Sequence, residues 1–73
     1  MNYSDLVKKI NKIFEKKKLS GETLLSELDY DSLKILEILA FADKYFPELN
    51  LDANKLYECK KVKDLIKLFK VDR

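Results

Sequence analysis

Residues 29–47 read DYDSLKILEILAFADKYFP, and this stretch carries the signals of one long helix bounded at both ends. Asp31 or Asp29 can serve as the N-cap, because a short side-chain oxygen accepts a hydrogen bond from the free N–H groups of a first helical turn. Pro47 ends the pattern, since proline lacks the N–H and clashes with the preceding turn. The sequence therefore predicts a helix from about Ser32 to Phe46.

This predicted helix has apolar residues on two sides. At 100° per residue, the side directed towards the core carries Ile35, Ile38, Leu39, Ala42 and Phe46. The opposite side carries Leu33, Leu36 and Ala40, joined by Asp43 and Lys44. Two interpretations of this second strip stay open: it is a docking surface for a partner, or leucines of the preceding loop cover it (Leu24, Leu25 or Leu28).

On the N-terminal side, an earlier helix is indicated by apolar residues that recur at helical spacing: Tyr3, Leu6, Val7, Ile10, Ile13 and Phe14. Ser4 is placed to cap its start, and Lys16–Lys18 suit its C-terminal end, where the helix dipole favours positive charge. The following residues, 19–31, mix Ser20, Gly21 and Thr23 with spaced leucines. Such a mixture predicts an ordered loop pinned to the core.

On the C-terminal side, Asp52 is placed to cap a short helix over Ala53–Tyr57. A last helix is indicated by the apolar stripe Val62, Leu65, Ile66 and Phe69. The expected fold class is therefore all-α, with four helices, a long loop between the first and the second, and a short third helix.

Size and composition limit what such a chain can do. Its 73 residues are enough for one compact domain, 1–73, with a limited core and little room for an enclosed active site. A hydrophobic fraction of 47% with one Gly and one Pro indicates a globular helical domain. No apolar run reaches the length of a membrane span or resembles the core of a signal peptide, so we expect a soluble, cytoplasmic protein without a membrane partner.

The absent residue types exclude further classes. There is no histidine, which is the commonest zinc ligand and general base, and Cys59 is the only cysteine. We therefore expect no intrachain disulfide, no metal site and no catalytic residues. Cys59 itself is expected to be a small buried hydrophobic residue rather than a reactive thiol.

The formal net charge of +2 hides an uneven distribution. Residues 1–18 and 59–73 each carry six basic residues against two acidic ones, or +4, whereas residues 19–58 carry nine acidic residues against three lysines, or −6. A partner that contacts the middle of the chain would need basic groups.

Residues 27–33, Glu-Leu-Asp-Tyr-Asp-Ser-Leu, resemble the acidic, Leu, Gly, x, Asp, Ser, Leu signature of acyl carrier proteins. The centre of the signature is Asp31-Ser32-Leu33, and alone it would read more simply as a helix cap. The resemblance nevertheless covers nearly the whole chain: Glu37 lies five residues after Ser32, Phe46 closes the helix, Leu51 precedes the short third helix, and the last helix carries Val62, Leu65 and Ile66. It implies a right-handed up-down four-helix bundle of the acyl-carrier-protein type.

The resemblance also implies a function. A phosphopantetheinyl transferase, with Mg²⁺ bound at the transferase, would move 4′-phosphopantetheine from coenzyme A onto the Ser32 hydroxyl, and the carrier itself would catalyse nothing. Asp31 would meet a basic group of the transferase, and Leu33, Leu36, Glu37 and Ala40 would form the partner-binding surface. By the same resemblance, an acyl chain would enter between helices two and three, near Ile35, Leu39 and Leu56, and the expected carrier is a monomer.

The chain departs from the family pattern at three positions. Asp29 stands where the family usually has Gly, Lys34 where an acidic residue commonly follows the triplet, and Lys44 lies in an otherwise acidic stretch. These departures indicate a specialised carrier that serves an acyl- or aminoacyl-loading enzyme and a synthase or transferase. Fatty-acid, polyketide, nonribosomal-peptide and D-alanyl or other aminoacyl pathways all stay open.

Three other functions are alternatives to the carrier. The main alternative is an unmodified helical interaction module that binds a partner through Leu33, Leu36 and Ala40. A nucleic-acid binder using Lys16–Lys18 and Lys60–Lys63 has no recognised motif in its favour, and the lysines are better explained as solvated helix ends. An enzyme is disfavoured because there is no histidine, Gly-rich phosphate loop or metal-ligand cluster.

Overall fold

A computed structural model describes residues 1–15 and 19–71, and these residues are mostly helical, as the sequence predicts. They form four α-helices: α1 (Tyr3–Ile13), α2 (Ser32–Tyr45), α3 (Ala53–Tyr57) and α4 (Val62–Leu68). Two short 3-10 helices, Leu25–Glu27 and Pro47–Leu49, lie before and after α2. In the described part of the chain, extended pairing is limited to one isolated bridge between Leu24 and Lys61. None of these helices is long and apolar enough to cross a membrane.

The predicted helix caps are confirmed at α2 and α3 and wrong at α1. Asp31 and Asp52 each accept a backbone hydrogen bond from the third helical residue. At α1 the cap is Asn2, whose side chain accepts from the Asp5 N–H at 2.8 Å, and Ser4 lies inside the helix. The helix ends at Ile13, and Lys16–Lys18, expected at its C-terminal end, lie outside the described residues.

The core is one cluster of apolar side chains drawn from all four helices and the loop before α2. Its buried members are Leu6, Ile10, Phe14, Leu25, Leu28, Ile35, Ile38, Phe41, Ala42, Leu56, Val62, Leu65 and Phe69. Phe41 was not among the predicted core residues of α2, although it follows Ile38 by three positions. Leu39 and Phe46 were among the predicted core residues, but they are only half-buried. Phe41 is buried because its ring joins an aromatic cluster with Phe46 and Phe69.

The loop before α2 is ordered, as predicted, and the structure shows what holds it. Residues 21–25 run beside residues 60–63: Leu25 N–H donates to the Lys60 carbonyl at 2.8 Å, and Lys63 N–H donates to the Gly21 carbonyl at 2.9 Å. A Cβ at Gly21 would lie 3.3 Å from the Lys63 Cβ, so only glycine fits this approach without displacement.

Two salt bridges also join this loop to the residues at the start of α4. The Glu22 carboxylate accepts from the ammonium groups of Lys61 at 2.8 Å and Lys63 at 2.7 Å, and these two lysines lower the pKa of Glu22 to about 2. The loop is therefore attached to the start of α4, and it leads the chain from this attachment into α2.

Candidate functional site at the start of α2

Ser32 is the first residue of α2, and its side chain is exposed. The preceding Asp31 has extended backbone dihedral angles, and its carboxylate accepts from the Lys34 N–H at 3.1 Å. The first turn of a helix has N–H groups without intrahelical acceptors and carries the positive end of the helix dipole. The Ser32 hydroxyl therefore lies where an attached anion is stabilised by the backbone itself.

The turn that leads into this helix has a left-handed residue at Asp29, with φ of 53°. This is the position at which the acyl-carrier signature usually has glycine, the residue that adopts such angles most easily. Aspartate is among the few side chains that tolerate the left-handed region. Asp29 therefore differs from the glycine of the signature, but it can still adopt this left-handed backbone conformation.

Tyr30 fixes the turn to the rest of the protein. Its hydroxyl donates to the carbonyl of Leu56 in α3, and its ring lies 6.3 Å from that of Phe14, just after α1. Burial, with smaller contributions from Cys59 and Tyr57, raises the pKa of the Tyr30 phenol, so it stays protonated and keeps donating. Because Tyr30 is two residues before Ser32, these contacts hold the start of α2 in place.

Lys34 is turned away from the exposed face of α2. Its ammonium donates to the Ile13 carbonyl at the end of α1, at 2.8 Å, and lies 3.7 Å from the Glu37 carboxylate. The side chain is only 19% exposed. A helix C-terminus has free carbonyls and partial negative charge, and Lys34 satisfies one such carbonyl while linking α1 to α2. The lysine that departs from the family pattern therefore has a structural role.

The second apolar strip of α2 is uncovered. Leu33 is 69% exposed and Leu36 is 61% exposed, and Ala40 is exposed one turn further on. The interpretation that loop leucines cover the strip is wrong, because Leu25 and Leu28 turn into the core and Leu24 is itself exposed. Ser32 therefore lies at the end of α2 that carries this exposed apolar surface, and the carboxylate of Glu37 on the same helix is also exposed.

Tyr57, at the end of α3, is an exposed aromatic residue that the sequence argument missed. It is 59% exposed, and its phenol is close enough to Tyr30 to contribute to that residue's raised pKa. The sequence contained one signal of this exposure. Tyr57 directly follows Leu56, which is buried, and neighbouring residues of a helix point in different directions.

Cys59 lies between α3 and α4 and is half-buried, less than the sequence predicted. Its Sγ donates to the Lys55 carbonyl at 3.5 Å, and burial raises the pKa of its thiol to about 11. A thiol that stays protonated at neutral pH is a weak nucleophile.

Of the residues expected near an acyl pocket, Ile35 and Leu56 are buried, and Leu39 is half-buried.

Comparison with known proteins yields no match: no protein-family model, no curated protein and no solved structure matches this chain. The function must therefore be inferred from the residues and the geometry described above.

Proposed function

We propose that this chain is a carrier protein of the acyl-carrier type, a monomer that bears 4′-phosphopantetheine on Ser32. The observation that carries the proposal is the setting of Ser32: an exposed hydroxyl on the first residue of a long helix, directly after a capping aspartate and beside an exposed leucine strip. The proposed arrangement of the four helices is a right-handed up-down bundle.

The residues around Ser32 suit a covalently attached phosphodiester. The first-turn N–H groups and the helix dipole favour its negative charge, and the exposed side chain leaves space around the oxygen. The nearest carboxylate, that of Asp31, is already engaged with the Lys34 N–H. When bound, the arm supplies a thiol that holds an acyl or aminoacyl group as a thioester.

The chain's own part in this function is to present the serine and to bind partners. Ser32 is a weak nucleophile in the absence of histidine, so the base for its modification must come from the phosphopantetheinyl transferase. Asp31 keeps free oxygen lone pairs for a basic group of that enzyme. Leu33, Leu36 and Ala40 would enter an apolar surface of a loading enzyme, synthase or transferase, and Glu37 would pair with a basic group at its rim.

Intact-protein mass tests the proposal. The purified chain is incubated with coenzyme A, Mg²⁺ and a broad-specificity phosphopantetheinyl transferase, next to the Ser32→Ala variant. We expect a gain of one phosphopantetheinyl unit by the wild type and none by the variant. Modification of the variant, or no gain by the wild type with several transferases, would contradict it.

The second candidate function is an unmodified helical interaction module. The same exposures of Leu33 and Leu36 favour it, because an uncovered apolar strip on a helix suits binding to a groove of another protein. It differs from the carrier in one respect that the mass measurement detects: Ser32 would stay unmodified.

A further inference from the structure

The opposite end of α2 borders an open groove that the carrier function does not use. The groove has a volume of about 530 Å³ and is lined by Met1, Asp5, Lys8, Lys9, Lys12 and Tyr45. We call it the basic groove. Tyr45 lies thirteen positions after Ser32, which is about 20 Å along a helix. The groove and the serine are therefore separate sites.

The charges of the basic groove are not neutralised within the described part of the chain. Three lysines of α1 face one carboxylate, that of Asp5, and in residues 1–15 and 19–71 none of the three lies within salt-bridge distance of an acidic group. Lys8 and Lys12 are one helical turn apart, a spacing at which like charges destabilise a helix. By contrast, Lys34, Lys61 and Lys63 each pair with a glutamate.

Tyr45 organises the positive charge at the edge of the groove. The Lys9 ammonium lies 5.8 Å from the centre of the Tyr45 ring, and the Lys44 ammonium lies 5.3 Å from it. The ring is itself fixed by the buried Phe41, at 5.1 Å between centroids, and is 40% exposed. These cation–π contacts place the ammonium groups of Lys9 and Lys44 beside the Tyr45 ring at the edge of the groove.

We propose that the basic groove binds a ligand that carries two or more phosphate groups. Lysine ammonium groups bind phosphate as point charges, and three lysines line this groove together with a single carboxylate. The volume lies in the range of small-molecule sites, about 300–1,000 Å³. A soluble diphosphate and a multiply phosphorylated lipid headgroup share this chemistry. The inference does not depend on the modification of Ser32.

Titration of inorganic pyrophosphate into ¹⁵N-labelled protein at low ionic strength, followed by amide chemical shifts, tests this site. We expect saturable shifts at residues 8–12 and at Tyr45, with none at Ser32. Lys9→Gln should weaken binding by about three- to tenfold, because it removes one charge-assisted contact, and Lys9→Arg should restore it. Lys55→Gln is the matched control, since it removes the same charge from an exposed lysine of α3 outside the groove.

The possible results distinguish specific binding in the basic groove from non-specific electrostatic attraction to lysines. Equal weakening by Lys55→Gln and Lys9→Gln, or no saturable shift with pyrophosphate, would overturn the proposal. Once pyrophosphate binds, sedimentation with phosphatidylcholine vesicles that contain a bisphosphorylated inositol lipid identifies the source. Vesicle binding that pyrophosphate displaces assigns a lipid headgroup, and pyrophosphate binding without vesicle binding assigns a soluble ligand. Vesicle binding without pyrophosphate binding would also overturn the proposal.

Discussion

The two ends of α2 differ in what they bury and in what they expose. At the N-terminal end, α2 is held by polar contacts, namely the Asp31 cap and the bond from Lys34 to the Ile13 carbonyl, while Leu33 and Leu36 stay exposed. At the C-terminal end, Phe41 packs against Phe46 and Phe69, and the exposed residues include Asp43, Lys44 and the lysines of the basic groove.

The difference indicates that the two ends of α2 have different roles, one in stability and the other in partner binding. The aromatic end contributes stability through burial, which leaves its surface free to carry charge. The serine end is positioned by directed hydrogen bonds, and its large apolar side chains are therefore left for a partner. Substitutions at the two ends should accordingly have opposite effects on stability and on partner binding.

The largest expected effect on stability is at the aromatic end. Phe69→Ala should lower the free energy of unfolding by about 3–5 kcal/mol, because the ring is 2% exposed and its removal leaves a cavity. Leu36→Ala, at the exposed strip, should change it by about 0.5 kcal/mol or less and should instead weaken partner binding. Urea denaturation of both variants measures the contrast. Equal losses would show that the strip is part of the core.

The next effect is at Lys34. Lys34→Met removes the ammonium while keeping the length of the chain, and it leaves the Ile13 carbonyl without this donor. We expect a loss of about 1–2 kcal/mol, since a hydrogen bond from a charged, mostly buried group is lost. Lys55→Met is the control, because Lys55 is exposed and should tolerate the change within about 0.5 kcal/mol. Thermal denaturation of the pair decides whether Lys34 links α1 to α2.

A smaller effect separates Asp31 from Ser32. Asp31→Ala should cost about 1 kcal/mol, because it removes the cap of α2. Ser32→Ala should cost about 0.5 kcal/mol or less, since an exposed serine in a first turn does not serve as the cap here. Chemical denaturation compares them. If Ser32→Ala were the more costly change, Ser32 would have a structural role that its exposure does not indicate.

The smallest effect is expected for the replacement of Asp29 by glycine. Asp29→Gly removes the strain of a positive φ from the folded protein, but it also increases the conformational entropy of the unfolded chain. These two effects on the free energy of unfolding should offset each other to within about 0.5 kcal/mol. Asp29→Ala should cost about 1 kcal/mol, since alanine has the Cβ penalty without aspartate's local hydrogen bonding. A melting temperature for Asp29→Ala equal to that of Asp29→Gly would contradict the left-handed conformation.

Local signals in the sequence predicted the helices well. The start of α2 was set by Asp31 and its end by Pro47, and the helix ends one residue earlier than predicted, at Tyr45. The error at α1 arose because Asn2 and Ser4 are both good caps, and the sequence does not show which of them caps the helix.

Contacts between distant residues were not predictable from local patterns. The bond from Lys34 to Ile13 spans 21 positions, and the pairing of residues 21–25 with 60–63 spans about 40. Of the candidate site, helix periodicity placed Leu33 and Leu36 on the side of α2 away from the core, but it left open whether loop leucines cover them. The contact of Tyr30 with Leu56 and the basic groove depend on how helices pack, which periodicity does not specify.

Localisation of the modified oxygen tests the central claim most directly. Trypsin cleaves after Lys18 and Lys34, and the peptide 19–34 contains Ser20, Thr23, Ser26 and Ser32. After incubation with coenzyme A and the transferase, fragment-ion masses of this peptide identify the residue that carries the arm, and Ser26→Ala serves as the matched control. Our account predicts modification at Ser32 alone, in wild type and in Ser26→Ala equally. Modification at another residue, or an unmodified peptide, would contradict it.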